Sequence, residues 1–328
     1  MQITSAQLNL IEDLLPVQRG NVTISKRAPH VLELEQKLAR IQLTPTQNRD
    51  PQKIYNPFTV ARLNETLSNF QVEEMLSVLG YAPDIHLVVW QPWYLEALNK
   101  LFVETDVAVW QDYLRMRLLA ERAPVLSQAF RDELTAYQQK KGFSAKEIDQ
   151  WLRAVLFLEK KVDMLYDRVY VEHYFGDDYL EQLTEIVNSI KEEYRLAITS
   201  STLFSEAPRK QALDKLEKMR FFLGYPKEWK DYSELEIEPG DLVGNVRRIA
   251  QFDHSDMMAK LNRPVAPDEW SASPTKANAF YKPSANKFVL MAAILQPPFF
   301  DASWSDAANI GGIGFIIGPR KAGAASDE

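Results

Sequence analysis

The run NAFYKPSANKFVLMAAILQPPFFD, Asn278 to Asp301, leads after a short connection into AANIGGIGFIIG, Ala307 to Gly318. In the first piece a turn over Lys282 to Asn286 separates two extended runs rich in aromatic and β-branched residues, which predicts a β-hairpin. In the second, Ala307, Ala308, Gly311, Gly312 and Gly314 are small enough to let a helix start lie close against another backbone. No Gly-Lys-Ser/Thr follows these glycines, so the run is not a phosphate-binding loop.

Upstream the texture is first loose, then helical. GYPKEWKDYSELEIEPGDLVGN, Gly224 to Asn245, is a junction ahead of a short helix expected near 243–260. Before Tyr225, apolar residues recur at helical spacing between Pro, Asn or Gly breaks. Val31, Leu34, Leu38 and Ile41 form one apolar stripe, with Glu33, Glu35, Lys37 and Arg40 elsewhere, the pattern of an amphipathic helix. Pro51 and Pro57 interrupt the polar loop TPTQNRDPQKIYNP. Further helices are predicted at 59–68, 71–79, 92–103, 106–122, 124–140, 144–174, 178–198 and 206–222, and His86 to Trp90 reads as a strand. Ser144 with Glu147 has capping-box spacing, and Ser205 precedes Pro208 at another helix start. The fold class is mainly α, α+β overall.

The composition agrees. At 328 residues the chain has room for about two domains of roughly 150 residues. Glycine, at 12 residues, is about half its usual ~7% share, which leans the backbone toward helix. With 38 basic and 45 acidic residues the net charge is −7, which offers no field to hold nucleic acid or anionic lipid. The absence of cysteine excludes disulfides, thiolate metal sites and a cysteine nucleophile. The longest fully apolar run, Phe288 to Leu295, is far short of the ~18 residues of a membrane span. MQITSAQLNLIEDLL lacks a basic region followed by an apolar core, so neither a signal peptide nor a membrane anchor is expected.

Taken alone, the polar residues assemble no catalytic set. None of His30, His86, His173 and His254 stands in H-E-x-x-H. His173 and Asp177 have i,i+4 spacing, but Gly176 and the neighbouring aspartates mark a helix end, where they read as capping groups. His254 lies in Asp253-His-Ser-Asp256, paired with a neighbouring carboxylate. Glu73 with Glu74 and Glu192 with Glu193 read as solvated charge. On these residues the chain is a helical interaction or scaffold protein with a small mixed appendage.

The stretch from Asn278 changes that reading, because it resembles the neprilysin family of zinc metalloendopeptidases. In that family an Asn-Ala-Tyr/Phe-Tyr segment, an I-L-Q-P-P-F-F segment and a G-G-I-G helix start occur in this order, immediately before the zinc motif. FFLGYPKEWKDYSELEI, RVYVEHYF and HVLELEQKLA, with Arg263-Pro264, Trp270 and Pro274, extend the resemblance from near His30 to Gly318. It implies a helical lid region over 1–265 and the start of a thermolysin-like catalytic domain over 266–328. It also implies that Asn278 and Ala279 grip the backbone of a peptide substrate, while Ile294, Phe299, Phe315 and Ile316 line an apolar pocket for the residue after the scissile bond. An extended Asn-Ala segment suits a peptide added as a strand; the four apolar residues would serve equally well as core. The parental activity is zinc-dependent cleavage of short peptides on the amino side of hydrophobic residues, by members that are cytoplasmic, exported or membrane-anchored. The lack of cysteine fits a bacterial-type member better than a disulfide-rich animal ectodomain.

Where the family continues into H-E-x-x-H, this chain reads Pro319-Arg320-Lys-Ala-Gly323. Pro319 and Gly323 stand at the histidine positions and Arg320 at the glutamate position, and proline and glycine weaken that helix. The family's third zinc ligand, transition-state histidine and substrate-clamping arginine would lie beyond Glu328. The expectation is a truncated form with no catalytic residue, no metal ligand and no bound zinc. A non-catalytic peptide-binding protein and a helical interaction protein are the alternatives.

Overall fold

The computed structural model describes residues 27–143, 148–261, 263–266, 268–270 and 272–318. It is mainly α-helical, and packing divides it into one unit up to Ile148 and a second from Asp149. No described helix is long and apolar enough to cross a membrane.

In the first unit, α1 (Ala28–Arg40) starts with proline in its first turn, where a missing N–H costs nothing. Its predicted stripe is buried through Val31, Leu34 and Leu38. The stripe packs on Leu101 of α5 (Pro92–Glu104) and on Val109 and Met116 of α6 (Val107–Arg122). The loop before Pro57 holds a short helix, α2 (Pro51–Ile54), whose Asp50 cap accepts from Gln52 N–H at 3.1 Å. It also holds a strand, β1 (Asn56–Phe58), paired antiparallel with β2 (Leu87–Val89) inside the predicted run 86–90. Pro57 is tolerated because both strands of a two-stranded ribbon are edges. Helices α3 (Val60–Thr66), α4 (Val72–Val78) and α7 (Gln128–Lys140) complete this unit.

The second unit departs from expectation at two places. The predicted helix 144–174 is two helices, α8 (Gln150–Lys161) and α9 (Asp163–Tyr174), because Val162 leaves helical backbone (φ −134°, ψ 53°). The Ser144–Glu147 pattern lies outside the described residues. After α10 (Asp177–Ser200), the predicted helix 206–222 ends early: α11 spans Glu206–Glu217, and Arg220–Gly224 is a strand, β3. Burial explains the switch, since its aromatic residues pair in parallel with β5 (Lys287–Met291). Gly224 closes β3 at φ +77°, with Leu180 and Phe175 against the position a Cβ would take.

The predicted hairpin is present as β4 (Ala279–Lys282) and β5, and the sheet order is β3-β5-β4. Asn286 supplies the left-handed turn residue at φ 43°. All five residues of β5 are buried because both its faces are covered. Phe288 and Leu290 turn toward Leu183, Ile186 and Val187 of α10 and toward Ile313 and Ile317, while Val289 and Met291 turn toward Trp270. Full burial of each such side chain contributes about 1.5–3 kcal/mol. Helix α12 (Leu242–Lys260) precedes the hairpin, and α13 (Asp306–Asn309) continues through a wider turn at Ile310–Gly314. Packing divides the chain after Ile148, and β3 hydrogen-bonds β5 across the expected 265/266 division.

Candidate functional site

The strand β4 is an edge of its sheet among the described residues, and its entrance is Asn278. The Asn278 N–H donates to the Lys276 carbonyl at 2.8 Å, and its own carbonyl accepts from Met291 N–H at 3.3 Å. Antiparallel pairing alternates, and with residue 278 bonded inward to β5 the N–H and C=O of Ala279 point away from β5. The Asn278 Oδ1 accepts the Ala279 N–H at 2.8 Å, which lays this exposed side chain along the same edge. Ala279 is fully buried as a whole residue, methyl and backbone alike, so the exposed polar group at this position is the Asn278 carboxamide.

Beyond β5, the chain folds back onto the helix start. A Cβ added at Gly312 would stand 2.3 Å from the Phe299 carbonyl oxygen, so this glycine is where the helix meets another backbone. Gly311 faces open space, and Gly314 has only ordinary contacts with Ile310 and Ile190. The junction is fixed by Asn309, fully buried, whose Oδ1 accepts from Asp301 N–H at 3.1 Å and whose Nδ2 donates to Asp301 C=O at 2.9 Å. Asp301 in turn accepts from the hydroxyl and N–H of Ser303, which hold its carboxyl below the usual range. At the far end, the Tyr194 hydroxyl donates to the Gly318 carbonyl at 2.6 Å.

The six residues singled out above thus separate. Asn278 and Ala279 form the edge, Ile294 is in the core beside Ala279, and Ile316 packs half-buried against the same core. Phe299 and Phe315 are exposed, at 40% and 74%. The sequence reading passes over Asp167 of α9, which is 1% exposed. Its Oδ1 accepts from the hydroxyls of Ser273 (2.7 Å) and Thr275 (3.0 Å), just ahead of Asn278. Burial raises its pKa, partly offset by those two hydrogen bonds. Its signal was available: Met164, Asp167 and Val171 share one helical stripe, so a carboxylate falls on a buried face.

Among the described residues no donor set fits a zinc ion. The four histidines stand on different elements, and the His173 Nδ1 lies 2.8 Å from the Val169 carbonyl of its own helix. Among the described residues no group of three His, Asp or Glu side chains is placed to hold a metal. Pro319, Arg320 and Gly323 lie outside the described residues.

Comparison with known proteins gives a consistent picture. The N-terminal and peptidase models of "Peptidase family M13" match residues 1–226 and 278–319. Human neprilysin is 26% identical over 336 aligned residues, covering 96% of this chain and 44% of that protein. Human endothelin-converting enzyme 1 is 26% identical, over 93% and 41%. The crystal structure of Mycobacterium tuberculosis zinc metalloprotease Zmp1 with an inhibitor superimposes with a TM-score of 0.89 at 34% identity, covering 97% of this chain and 49% of that one. PepO from Lactobacillus rhamnosis HN001 shares the fold, with a TM-score of 0.85 at 22% identity over 97% and 51%. The chain spans about half the length of these relatives or less.

Proposed function

The chain belongs to peptidase family M13, the neprilysin family of metallopeptidases, and from that premise we propose that these 328 residues bind an extended peptide along the open edge of β4 without cleaving it. The observation that carries the reading is the exposed Asn278 side chain at the entrance of β4, an edge strand among the described residues. The Asn278 carboxamide donates to a carbonyl of a peptide laid alongside in extended form. Phe299 and Phe315, open to solvent, meet a hydrophobic side chain of the peptide, while Ile294 and Ile316 support them from the core. In role, residues 1–265 act as the helical lid region and 266–328 as the start of the catalytic part.

In the intact family zinc activates a water for attack on the peptide carbonyl. The described residues hold no donor set that fits the ion, so the reading assigns them binding and no hydrolytic step. Two measurements test the reading. Metal analysis of the purified chain should find no stoichiometric zinc; one tightly held ion per chain would overturn that part. Titration of a labelled extended peptide with hydrophobic side chains should saturate, and Asn278→Ala should weaken it by about 3- to 10-fold, the scale of one hydrogen bond. A silent Asn278→Ala would favour a helical interaction protein instead.

A further inference from the structure

The segment that delivers the chain into β4 hangs on one buried carboxylate. Asp167 points from α9 into the protein, and a single oxygen, Oδ1, takes the hydroxyls of both Ser273 and Thr275, which also lie 2.8 Å from each other. From there hydrogen bonds run stepwise to the edge: Lys276 N–H to the Ser273 carbonyl at 3.1 Å, then Asn278 N–H to the Lys276 carbonyl at 2.8 Å. Between them, the Pro274 carbonyl accepts from Ala293 N–H at 2.9 Å, which ties the segment to the residues just after β5. The Lys276 ammonium also pairs with Glu159 of α8.

This arrangement is costly in one respect. The Asp167 Oδ2 is buried and has no hydrogen-bond partner among the described residues. Burying a carboxylate with an unsatisfied oxygen opposes folding, and departures of this kind concentrate where a protein positions working groups. What the anion supplies in return is a pair of charge-assisted bonds, shorter and stronger than neutral ones, from one rigid helix to two residues of an otherwise irregular segment.

We propose that Asp167 is a positioning residue for peptide binding: by fixing Ser273 and Thr275 it sets where Asn278 presents its carboxamide. The inference rests on the reading of the β4 edge as the peptide site. The Lys276–Glu159 pair and the Pro274 carbonyl keep the segment attached when Asp167 is removed, so the loss is of register rather than of fold.

The test compares the full chain with Asp167→Ala, Asp167→Asn and the double variant Ser273→Ala/Thr275→Val. Each is titrated with the same labelled peptide and measured for backbone hydrogen exchange. The asparagine keeps an oxygen where Oδ1 stands, so it should bind within about threefold of the natural chain. Asp167→Ala and the double variant should each lose about tenfold, the scale of one well-made hydrogen bond, and combining them should lose no more. Exchange should rise over 276–282 and not in β3. Natural affinity in Asp167→Ala, an equal loss in Asp167→Asn, or exchange rising evenly through the sheet would each overturn the proposal, the last by making Asp167 a merely structural residue. A natural chain that binds no peptide overturns the peptide reading instead, and the anchoring by Asp167 then stands or falls on the exchange comparison alone.

Discussion

Replacing Gly312 with alanine places a methyl carbon 2.3 Å from the Phe299 carbonyl oxygen and 3.0 Å from its carbon. Non-bonded heavy atoms settle near 3.5 Å, so the two backbones must part by about 1 Å. They are not free to do so, because Asn309 and Asp301 are joined by two hydrogen bonds close by, each contributing about 0.5–1.5 kcal/mol. Overpacking of this kind costs about 1–3 kcal/mol. The gain of alanine over glycine in a helical turn returns about 0.5–1 kcal/mol and does not cover it. At the adjacent Gly311 a Cβ meets nothing within 4 Å, so Gly311→Ala keeps the gain without the clash. The pair should therefore differ by the clash alone, about 1–3 kcal/mol, with opposite signs relative to the natural chain. Urea unfolding followed by far-UV circular dichroism reads this as midpoints shifted in opposite directions. If Gly312→Ala proves as stable as Gly311→Ala, the close approach of helix and loop is wrong.

Three further outcomes follow from buried polar groups. Asn309→Ala leaves the Asp301 N–H and C=O without their partners and should cost about 2–4 kcal/mol in the same unfolding assay. Asp112→Ala strips the carboxylate that Arg27 (2.6 Å) and Arg115 (3.2 Å) share; both cations reach solvent, so thermal unfolding should register about 1–3 kcal/mol, less than for a wholly buried pair. Burial raises the Asp167 pKa, so the folded state holds this proton more tightly than the unfolded chain. The stability it contributes is complete below the unfolded value of about 3.9 and is lost as pH rises through the raised value. Asp167→Asn should remove that fall, so its advantage in urea midpoint should grow from about pH 4 toward neutrality; a constant difference would contradict the sign.

Much of the architecture was legible wherever one physical rule acted alone. The α1 stripe and the hairpin about Asn286 follow from periodicity and turn chemistry, and both are present. Where tertiary burial competes with local pattern, local pattern loses. Arg220 to Leu223 continues a helical run in sequence, yet its aromatics are worth more paired against β5. Val162 breaks a helix that nothing in the spacing interrupts, and its side chain is buried there. The site divides in the same way. Asn278 and Ala279 were identified through resemblance, and the structure sets them at the entrance of an edge strand. Ile294 and Phe299 are five residues apart in one loop, but only the packing separates a core residue from an exposed one. Asp112 and Asp167 each sit on the buried stripe of a helix, with Val109 and Met116 in one case and Met164 and Val171 in the other. A carboxylate at such a position is a signal that periodicity contains, and its partners lie too far along the chain to be read from spacing.

Backbone hydrogen exchange of the full chain, with and without a saturating extended peptide, tests the central claim most directly. A peptide held by Asn278 along β4 predicts slowed exchange over residues 276–282, with the peptide recovered intact. Unchanged exchange there, protection confined to other elements, or a cleaved peptide would contradict it.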